Sequence, residues 1–550
     1  MQHARCSHAM MSDLHNYYEK TVSSCSATTS MRRPSLVGYL HFLCHTSRTI
    51  GYWQVPLAGC KRSLPTGAAQ LAPQRCPRPL STAGPLGMTP DGGGDAGSSS
   101  VPLSTKDAAV GESVIRLMTR LSMQHGAVNL SQGFPNESPP LEVRVALARA
   151  VLTGLAELPP SPSDTEGGEK GGGGCSDHTS SPSSLVRGMV QGLQLGDAGG
   201  ADFDELNQYS PPMGRPDLRQ AISDHYRDMY GYEVDSDRCV TVTLGATEAV
   251  ASALRTIGRP GDRAVIFEPY HELYPNQCRI FYLEPTYVTL REGAGPDGTW
   301  GFNVGELEDA LKGAKVLLLN TPHNPTGKVF TREELRIITD LCIRHDVNII
   351  TDEIYEHMTY GSKSGGHIVI PEAFPKVADR TFVCNSVGKS ASATGWRLGW
   401  CLTPPVLSEA YRGVHDQLVV MAPHPMQYAA LTYLNLPQSY FRETLATRYV
   451  DRLQKLARSL RRVGFEVSDP EGAYYLFAQY RGVPRLGEKA PWDAAMYMVK
   501  EVGVACVPGT NFYGSPQAMS NEACTYLRFA ACRSVEDIDM ACRKIEEFFA

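Results

Sequence analysis

The sequence has no Cys-x-x-Cys pair: its 15 cysteines are scattered singly over 550 residues. An odd, dispersed set fits neither a disulfide framework nor a structural zinc site, so reduced thiols and no metal are expected. No apolar run approaches the roughly 20 residues that a membrane-spanning helix needs. Positive charge is also in short supply. Lys and Arg total 52 against 58 Asp and Glu, a net charge of -6 that excludes a broad electrostatic nucleic-acid binder. A GxxxxGK[ST] phosphate loop is missing around Gly388, Lys389 and Ser390, because Val383 stands where its first Gly belongs. A dinucleotide fingerprint set between a strand and a helix is missing too, so nucleotide binding has no motif to rest on. What is present, 42% apolar residues in a long chain, is ample for a large buried core.

Charge is uneven along the chain. Residues 1–87 hold nine Lys/Arg against two acids, Asp13 and Glu19, which leaves about -13 for the remainder. Basic, acid-poor and rich in Ser and Thr, this stretch resembles an organelle transit segment, although no clear amphipathic Arg-bearing helix opens it. The alternatives are a poorly ordered extension, or a true start at Met31 or Met88. Location follows the same split: mitochondrial or another organelle if the segment is a transit signal, cytoplasmic otherwise. Leu36 to Cys44 is too short, and too far from the N-terminus, for a secretory signal.

Residues 89–104 have the small, polar composition of a linker. A second low-complexity stretch, Leu158 to Gly200, is too poor in apolar residues to offset its ordering entropy and reads as a disordered inserted loop. Its Gly171 to Gly174 run has no strand before it and no helix closely after it, so it is not a phosphate loop. From Leu206 onward, β-branched runs alternate with amphipathic stretches. Strands are predicted at Val240–Thr243, Arg263–Glu268, Ala314–Asn320, Val347–Thr351, Thr381–Asn385 and Leu398–Leu402. Helices are predicted at Thr247–Ile257 and Thr331–His345, the latter with Thr331 and Glu334 as a capping box. This α/β alternation implies a mostly parallel sheet covered on both faces, with ligands at the carboxyl ends of its strands. After Pro404 a long helical run, Tyr440–Val463, short strands near Tyr474–Ala478 and Tyr526–Ala530, and a last helix, Val535–Phe549, imply a smaller α+β domain. The expected division is an N-terminal extension over 1–103, an arm and part of the small domain over 104–157, the insertion over 158–203, a large domain over 204–403 and a small domain over 404–550.

Polar clusters follow the strand ends in the predicted large domain. They are Gly245-Ala246-Thr247, then the Asn320 to Gly327 run with Asn324, then Asp352 to Tyr355, then Ser386 to Lys389 leading to Arg397. The ordered series GAT, EPYHELYPNQ, NTPHNPTGKVF, TDEIYEH, SVGKSASATGWRLGW and YLRFA resembles the class I/II pyridoxal-phosphate aminotransferases of fold type I. The blocks NLSQGFPNESPP and NQYSPPMGRPDLRQAI are similar to the kynurenine, glutamine and methionine aminotransferase branch. The likeness runs from about Glu112 to Phe549, apart from the insertion. It implies a three-layer α/β/α fold with a smaller α+β domain, and pyridoxal 5'-phosphate as cofactor.

The resemblance also implies roles. Lys389 would form the Schiff base with the cofactor, and a lysine placed just past a strand can lose its proton and attack a carbonyl. Asp352 would face the pyridine nitrogen, with Glu353 beside it pointing to the other side of the strand. Tyr355 and Asn324 would bond the phenolic oxygen. Gly245, Ala246 and Thr247 at a helix start, with Ser386 and Arg397, would hold the phosphate. Tyr209 would reach that phosphate from the neighbouring subunit of a homodimer. Arg528 would clamp the substrate carboxylate beside Gly133 and Asn324, with Arg533 the competing candidate.

Two positions depart from the branch. His271 stands where an aromatic ring is expected to stack on the cofactor, and an imidazole can titrate as well as stack; the alternative is stacking by Tyr270 or Tyr274. Val420 and Met421 fall where relatives accepting aromatic donors carry an aromatic residue and a histidine, which leaves such a cage incomplete. The implied reaction moves an α-amino group from an L-amino acid of the kynurenine, glutamine, methionine or aromatic type to a 2-oxo acid. A cysteine-conjugate β-lyase on the same scaffold is the alternative, ahead of a non-catalytic binding module.

Overall fold

In the computed structural model, residues 112–153, 205–295, 298–360, 366–520 and 524–550 are described. The predicted extension over 1–103 and the insertion over 158–203 lie outside the described residues. The strands form where apolar and β-branched runs allow: β1 (Val240–Thr243), β2 (Arg263–Glu268), β3 (Glu284–Thr289), β4 (Val316–Asn320), β5 (Asn348–Asp352), β6 (Thr381–Ser386) and β7 (Gly399–Leu402). They make one sheet in the order β1-β7-β6-β5-β4-β2-β3. β7 runs antiparallel to both its neighbours, and the other pairings are parallel. β3 is an addition to the strands predicted from sequence. Its start, Glu284-Pro285, reads against a strand, and it survives as an edge strand paired to β2 alone, where proline is tolerated.

Successive residues divide between two cores. Val265, Phe267, Leu317, Leu319 and Ile349 pack into one, while Ala264, Ile266, Val316, Leu318, Ile350 and Phe382 pack into the other. The period of two places them on opposite faces, each covered by helices, which makes the expected three layers. Helix α1 (Pro216–Tyr230) precedes β1, and α2 (Ala246–Ile257) follows it. The capping box forms at α3 (Arg332–Arg344): Thr331 Oγ1 accepts from the Glu334 N–H at 3.2 Å, and Glu334 Oε2 accepts from the Thr331 N–H at 2.9 Å.

A second sheet of three antiparallel strands holds β8 (Tyr475–Gln479), β9 (Val507–Pro508) and β10 (Tyr526–Ala530), in the order β9-β10-β8. Arg528 sits mid-strand in β10, opposite Phe477 on one side and Val507 on the other. Helices α4 (Leu445–Arg462) and α5 (Val535–Phe549) pack beside it, and Leu453, Leu456, Leu460, Ile538 and Ile545 share one apolar core. Near the start of the described chain, Val128–Asn129 pairs in parallel with Val504–Ala505, so the following Ser131 to Phe134 stretch is tied to the β10 end of the molecule. Among the described residues, no helix is long and apolar enough to cross a membrane.

Candidate active site

Register sets the floor of the site. Asn320 at the end of β4 lies opposite Asp352 at the end of β5, and Asp352 lies opposite Cys384 in β6. Ser386 ends β6 opposite Gly399, which is also the partner of Thr243 at the end of β1. Over these ends opens a cavity of about 130 Å³. Of the residues expected from sequence, Ala246, Thr247, His271, Asn324, Asp352, Tyr355, Ser386, Lys389 and Arg397 line it, along with Leu273, Tyr274, Asn320, Ile354, Gly388 and Thr394, whereas Gly133, Gly245 and Arg528 do not.

Lys389 lies in the single helical turn Val387–Ser390 that follows β6. Its Nζ donates to the Gly133 carbonyl at 2.6 Å, and the Tyr474 hydroxyl donates to the same oxygen at 3.1 Å. Burial disfavours the ammonium and lowers its pKa to about 8, although Cys532 and Asp352 partly oppose this. The Asp352 carboxyl is raised to about 6, again by burial, with the Tyr274 hydroxyl and Lys389 pulling it back. Tyr274 donates to Asp352 Oδ2 at 2.7 Å, whereas Oδ1 is buried with no hydrogen-bond partner among the described residues. An unsatisfied buried acceptor costs about 1–3 kcal/mol, so this oxygen is set for a donor that the chain does not supply. Glu353 points elsewhere: it accepts from Thr351 Oγ1 at 2.7 Å and sits 2.7 Å from His367 Nε2.

The other wall suits an anion. Gly245 (φ 76°) stands as the N-cap of helix α2 and has no side chain to cap it, leaving the first N–H groups open. A Cβ on Gly245 would stand 2.6 Å from Arg397 Nη2, so glycine is what lets the guanidinium close over the helix start. Arg397 has φ 52° and anchors through Nη1 to the Thr394 carbonyl at 3.0 Å. Together with Thr247 and Ser386, these groups form the donor set that a phosphate needs. An acceptor lacking a donor at one end and uncapped N–H groups with a guanidinium at the other fit pyridoxal phosphate.

Arg528 is 1% exposed. Nη1 donates to Asn324 Oδ1 at 2.9 Å and Nη2 to the Ser131 carbonyl at 2.7 Å, while Nε has no partner among the described residues. The guanidinium lies 4.6 Å from the Tyr475 ring centroid and 5.0 Å from that of Phe512. Arg533, the competing candidate, is occupied elsewhere. It donates to the carbonyls of Asn129 at 2.9 Å and Gln132 at 3.4 Å, and it covers Phe134. It thereby fixes the backbone that presents Gly133 to Lys389.

His271 lines the cavity, and its Nδ1 accepts from the Leu273 N–H at 3.3 Å. Burial, then Arg528 and Lys389, push its pKa down to about 3, so it remains neutral and does not titrate in the ordinary range as its side chain alone suggests. Tyr270 stacks on Tyr287 instead of facing the cavity. Tyr209 is 79% exposed and does not line the cavity of its own chain. Val420 and Met421 do not line it either; Met421 Sδ accepts from the Ser210 N–H at 3.0 Å, against the Tyr209 segment.

Sequence reasoning missed three contributors. Tyr274 reads from sequence only as a stacking ring, yet its hydroxyl holds Asp352; the signal is its place one helical turn after His271. Asn320, last in its strand, donates from Nδ2 to the Asp352 carbonyl at 2.8 Å and accepts from the Asn324 N–H at 2.7 Å, stapling two loops. Tyr475 pairs with Tyr355, hydroxyl to hydroxyl, at 2.9 Å.

A doubly covered sheet, a strand-end anion site and a lysine of lowered pKa define a pyridoxal-phosphate enzyme of fold type I. Residues 189–545 match the family described as aminotransferase class I and II, and the chain belongs to that family. The kynurenine–oxoglutarate transaminase of Dictyostelium discoideum is 28% identical over 458 residues, covering 78% of this chain and 92% of that protein. Human kynurenine–oxoglutarate transaminase 1 is 30% identical over 431 residues, covering 74% and 89%. The structure of N-succinyldiaminopimelate aminotransferase from Mycobacterium tuberculosis is similar with a TM-score of 0.67 at 26% identity, covering 81% of this chain and 100% of that one. The chain is thus a pyridoxal-phosphate-dependent transaminase of the kynurenine aminotransferase branch, which moves an amino group from an amino acid to a 2-oxo acid. Nothing among these relatives supports the lyase alternative.

Gly133 gives a direct test of the site's geometry. A Cβ there would stand 1.9 Å from the Tyr475 hydroxyl oxygen. The Gly133→Ala protein should keep its circular dichroism and lose about 100-fold in kcat/KM, the scale of a roughly 1 Å misplacement. Unchanged kinetics would mean that this carbonyl is not set against Lys389 in the working enzyme.

Proposed function

We propose that this transaminase takes kynurenine as amino donor and 2-oxoglutarate as acceptor, works at the strand-end cavity, and receives the substrate α-carboxylate on Arg528. The observation that carries the site reading is the state of Arg528: almost wholly buried, Nε unpartnered, and hydrogen-bonded only to neutral oxygens among the described residues. A guanidinium left without an anion in the interior is costly, and a carboxylate arriving from solvent supplies the missing charge and two acceptors. The names of the relatives support the substrate pair.

When bound, pyridoxal phosphate supplies the electron sink for the charge left at Cα as its proton departs. Asp352 would hold the pyridine nitrogen, Tyr355 and Asn324 the phenolic oxygen, and the Gly245 to Thr247 helix start, with Ser386 and Arg397, the phosphate. Neutral His271 would pack on the ring. Arg528 orients the substrate so that its Cα–H bond faces Lys389, whose uncharged Nζ takes the proton and later returns it. Asn324 couples the two ends, since its Oδ1 already accepts from Arg528. The exposure of Tyr209, and its distance from the cavity lining of its own chain, support a homodimer in which it completes the neighbouring phosphate site.

Lys389→Ala should lose turnover and covalent retention of the cofactor after borohydride reduction; a variant that still turns over would sink the assignment. In the cofactor-free wild type, the free amine is the reactive form. The rate of cofactor attachment should therefore rise with pH and level off above about 8, rather than continue toward 10.5 as for an ordinary lysine. Among kynurenine, methionine, glutamine and phenylalanine tested with 2-oxoglutarate, kynurenine should give the highest kcat/KM, and a better donor would overturn the substrate proposal. Arg528→Lys loses the planar fork and should raise KM for both amino acid and oxo acid by about 10- to 100-fold; an effect confined to kcat would contradict a carboxylate clamp. Sedimentation of the holoenzyme should give twice the chain mass, and an active monomer would remove Tyr209 from the site.

A further inference from the structure

A second cluster of ionisable side chains lies behind Tyr355, and none of its members lines the active-site cavity. Glu356 and His357 directly follow Tyr355 in the turn after β5, and His225 belongs to α1. All three are buried, at 5%, 7% and 7% exposure. One ligand atom from each lies within 4.8 Å of the others, and His357 Nε2 is 3.3 Å from Glu356 Oε1. The two imidazoles meet edge to face with centroids 5.3 Å apart. His357 Nε2 has no hydrogen-bond partner among the described residues, whereas the Glu356 carboxyl faces the side chains of Tyr230 and Asn385, which hydrogen-bond to it. A buried nitrogen left this way costs about 1–3 kcal/mol, and an ion bound by it would remove that penalty.

The surroundings fit that purpose. The far nitrogen of His357, Nδ1, lies 3.4 Å from the Tyr230 hydroxyl, the outer contact that orients a ligating imidazole. Neighbouring Glu353 and His367 face one another at 2.7 Å, and Glu356 stands within reach of this pair as well. His225 also lines an open groove of about 500 Å³ with Asp217, Asp224 and Asp228, which gives an ion a path from solvent and leaves room for a water ligand.

We propose that His225, Glu356 and His357 bind a divalent transition-metal ion of the zinc class, at a site separate from the cofactor. Two imidazole nitrogens and a carboxylate oxygen are ligands that zinc favours. At bond lengths of about 2.0–2.1 Å, tetrahedral ligand atoms stand about 3.4 Å apart, a spacing that His357 and Glu356 already have. Small rotamer changes bring His225 in from within 4.8 Å. The ion ties α1 to the turn that carries Tyr355, so it acts on rigidity and takes no part in the reaction.

The test uses tag-free, full-length holoenzyme incubated with cobalt(II) and then gel-filtered. About one cobalt per chain should remain and be displaced by zinc, with the visible bands of a nitrogen–oxygen tetrahedral site and no thiolate charge-transfer band. His225→Asn and His357→Asn should each fall below about 0.1 cobalt per chain while keeping the cofactor's absorbance and amino-donor turnover. Wild-type retention below about 0.1, a thiolate band, or full retention in the folded variants overturns the site. If a variant fails to fold, the wild-type stoichiometry and spectrum decide alone.

Discussion

A sheet buried on both faces has nowhere to hold charge except at the ends of its strands. Here that restriction gathers Asn320, Asp352, Ser386 and Lys389 at one edge, because the parallel register of β4, β5 and β6 ends their strands side by side. The helix after β1 adds its uncapped N–H groups at the same edge. Geometry that serves packing thus also sets donors and acceptors a few ångströms apart, with no loop required to reach far for any of them.

Within that edge each charged group is left short of a partner. Lys389 has a carbonyl in place of an acid, Asp352 has one oxygen satisfied and one bare, and Arg528 is surrounded by neutral oxygens and rings. Burial then moves the pKa of Lys389 down and that of Asp352 up, each toward its uncharged form. The protein carries this strain until cofactor and substrate bring complementary charge, so ligands stabilise the fold as they bind. The same burial silences His271 and leaves it a flat, neutral surface at the cavity wall.

Much of this is legible in the sequence for physical reasons. Strands β1 and β2 show as β-branched and apolar runs, and the polar residues at strand ends stand out because packing alone does not call for them. The β3 strand is hidden by Pro285, which only an edge position tolerates. Tyr274 is hidden because its role depends on the orientation of a short helix above β5, and Asn320 because it works through another residue's backbone. The cluster joins His225 to Glu356 and His357 from more than a hundred positions away, and nothing local marks His225 as their neighbour. The departure at Val420 and Met421 is legible as a difference, but its outcome, the Met421 sulfur against Ser210, requires the tertiary structure.

The Ser131 carbonyl meets Arg528 across 397 positions of sequence, and Gly133 meets Lys389 across 256. Leu130 accepts from the Ala530 N–H at 2.8 Å and donates to Ala505 at 3.0 Å. During synthesis, the segment that presents its carbonyl to the lysine emerges early, and its last partners, Arg528 and Ala530 in β10, emerge near the end of the chain. The catalytic cleft is accordingly among the last features to close. A chain that stops short of β10 lacks Arg528 and the strand that holds the Leu130 segment, which couples activity to completion of the chain.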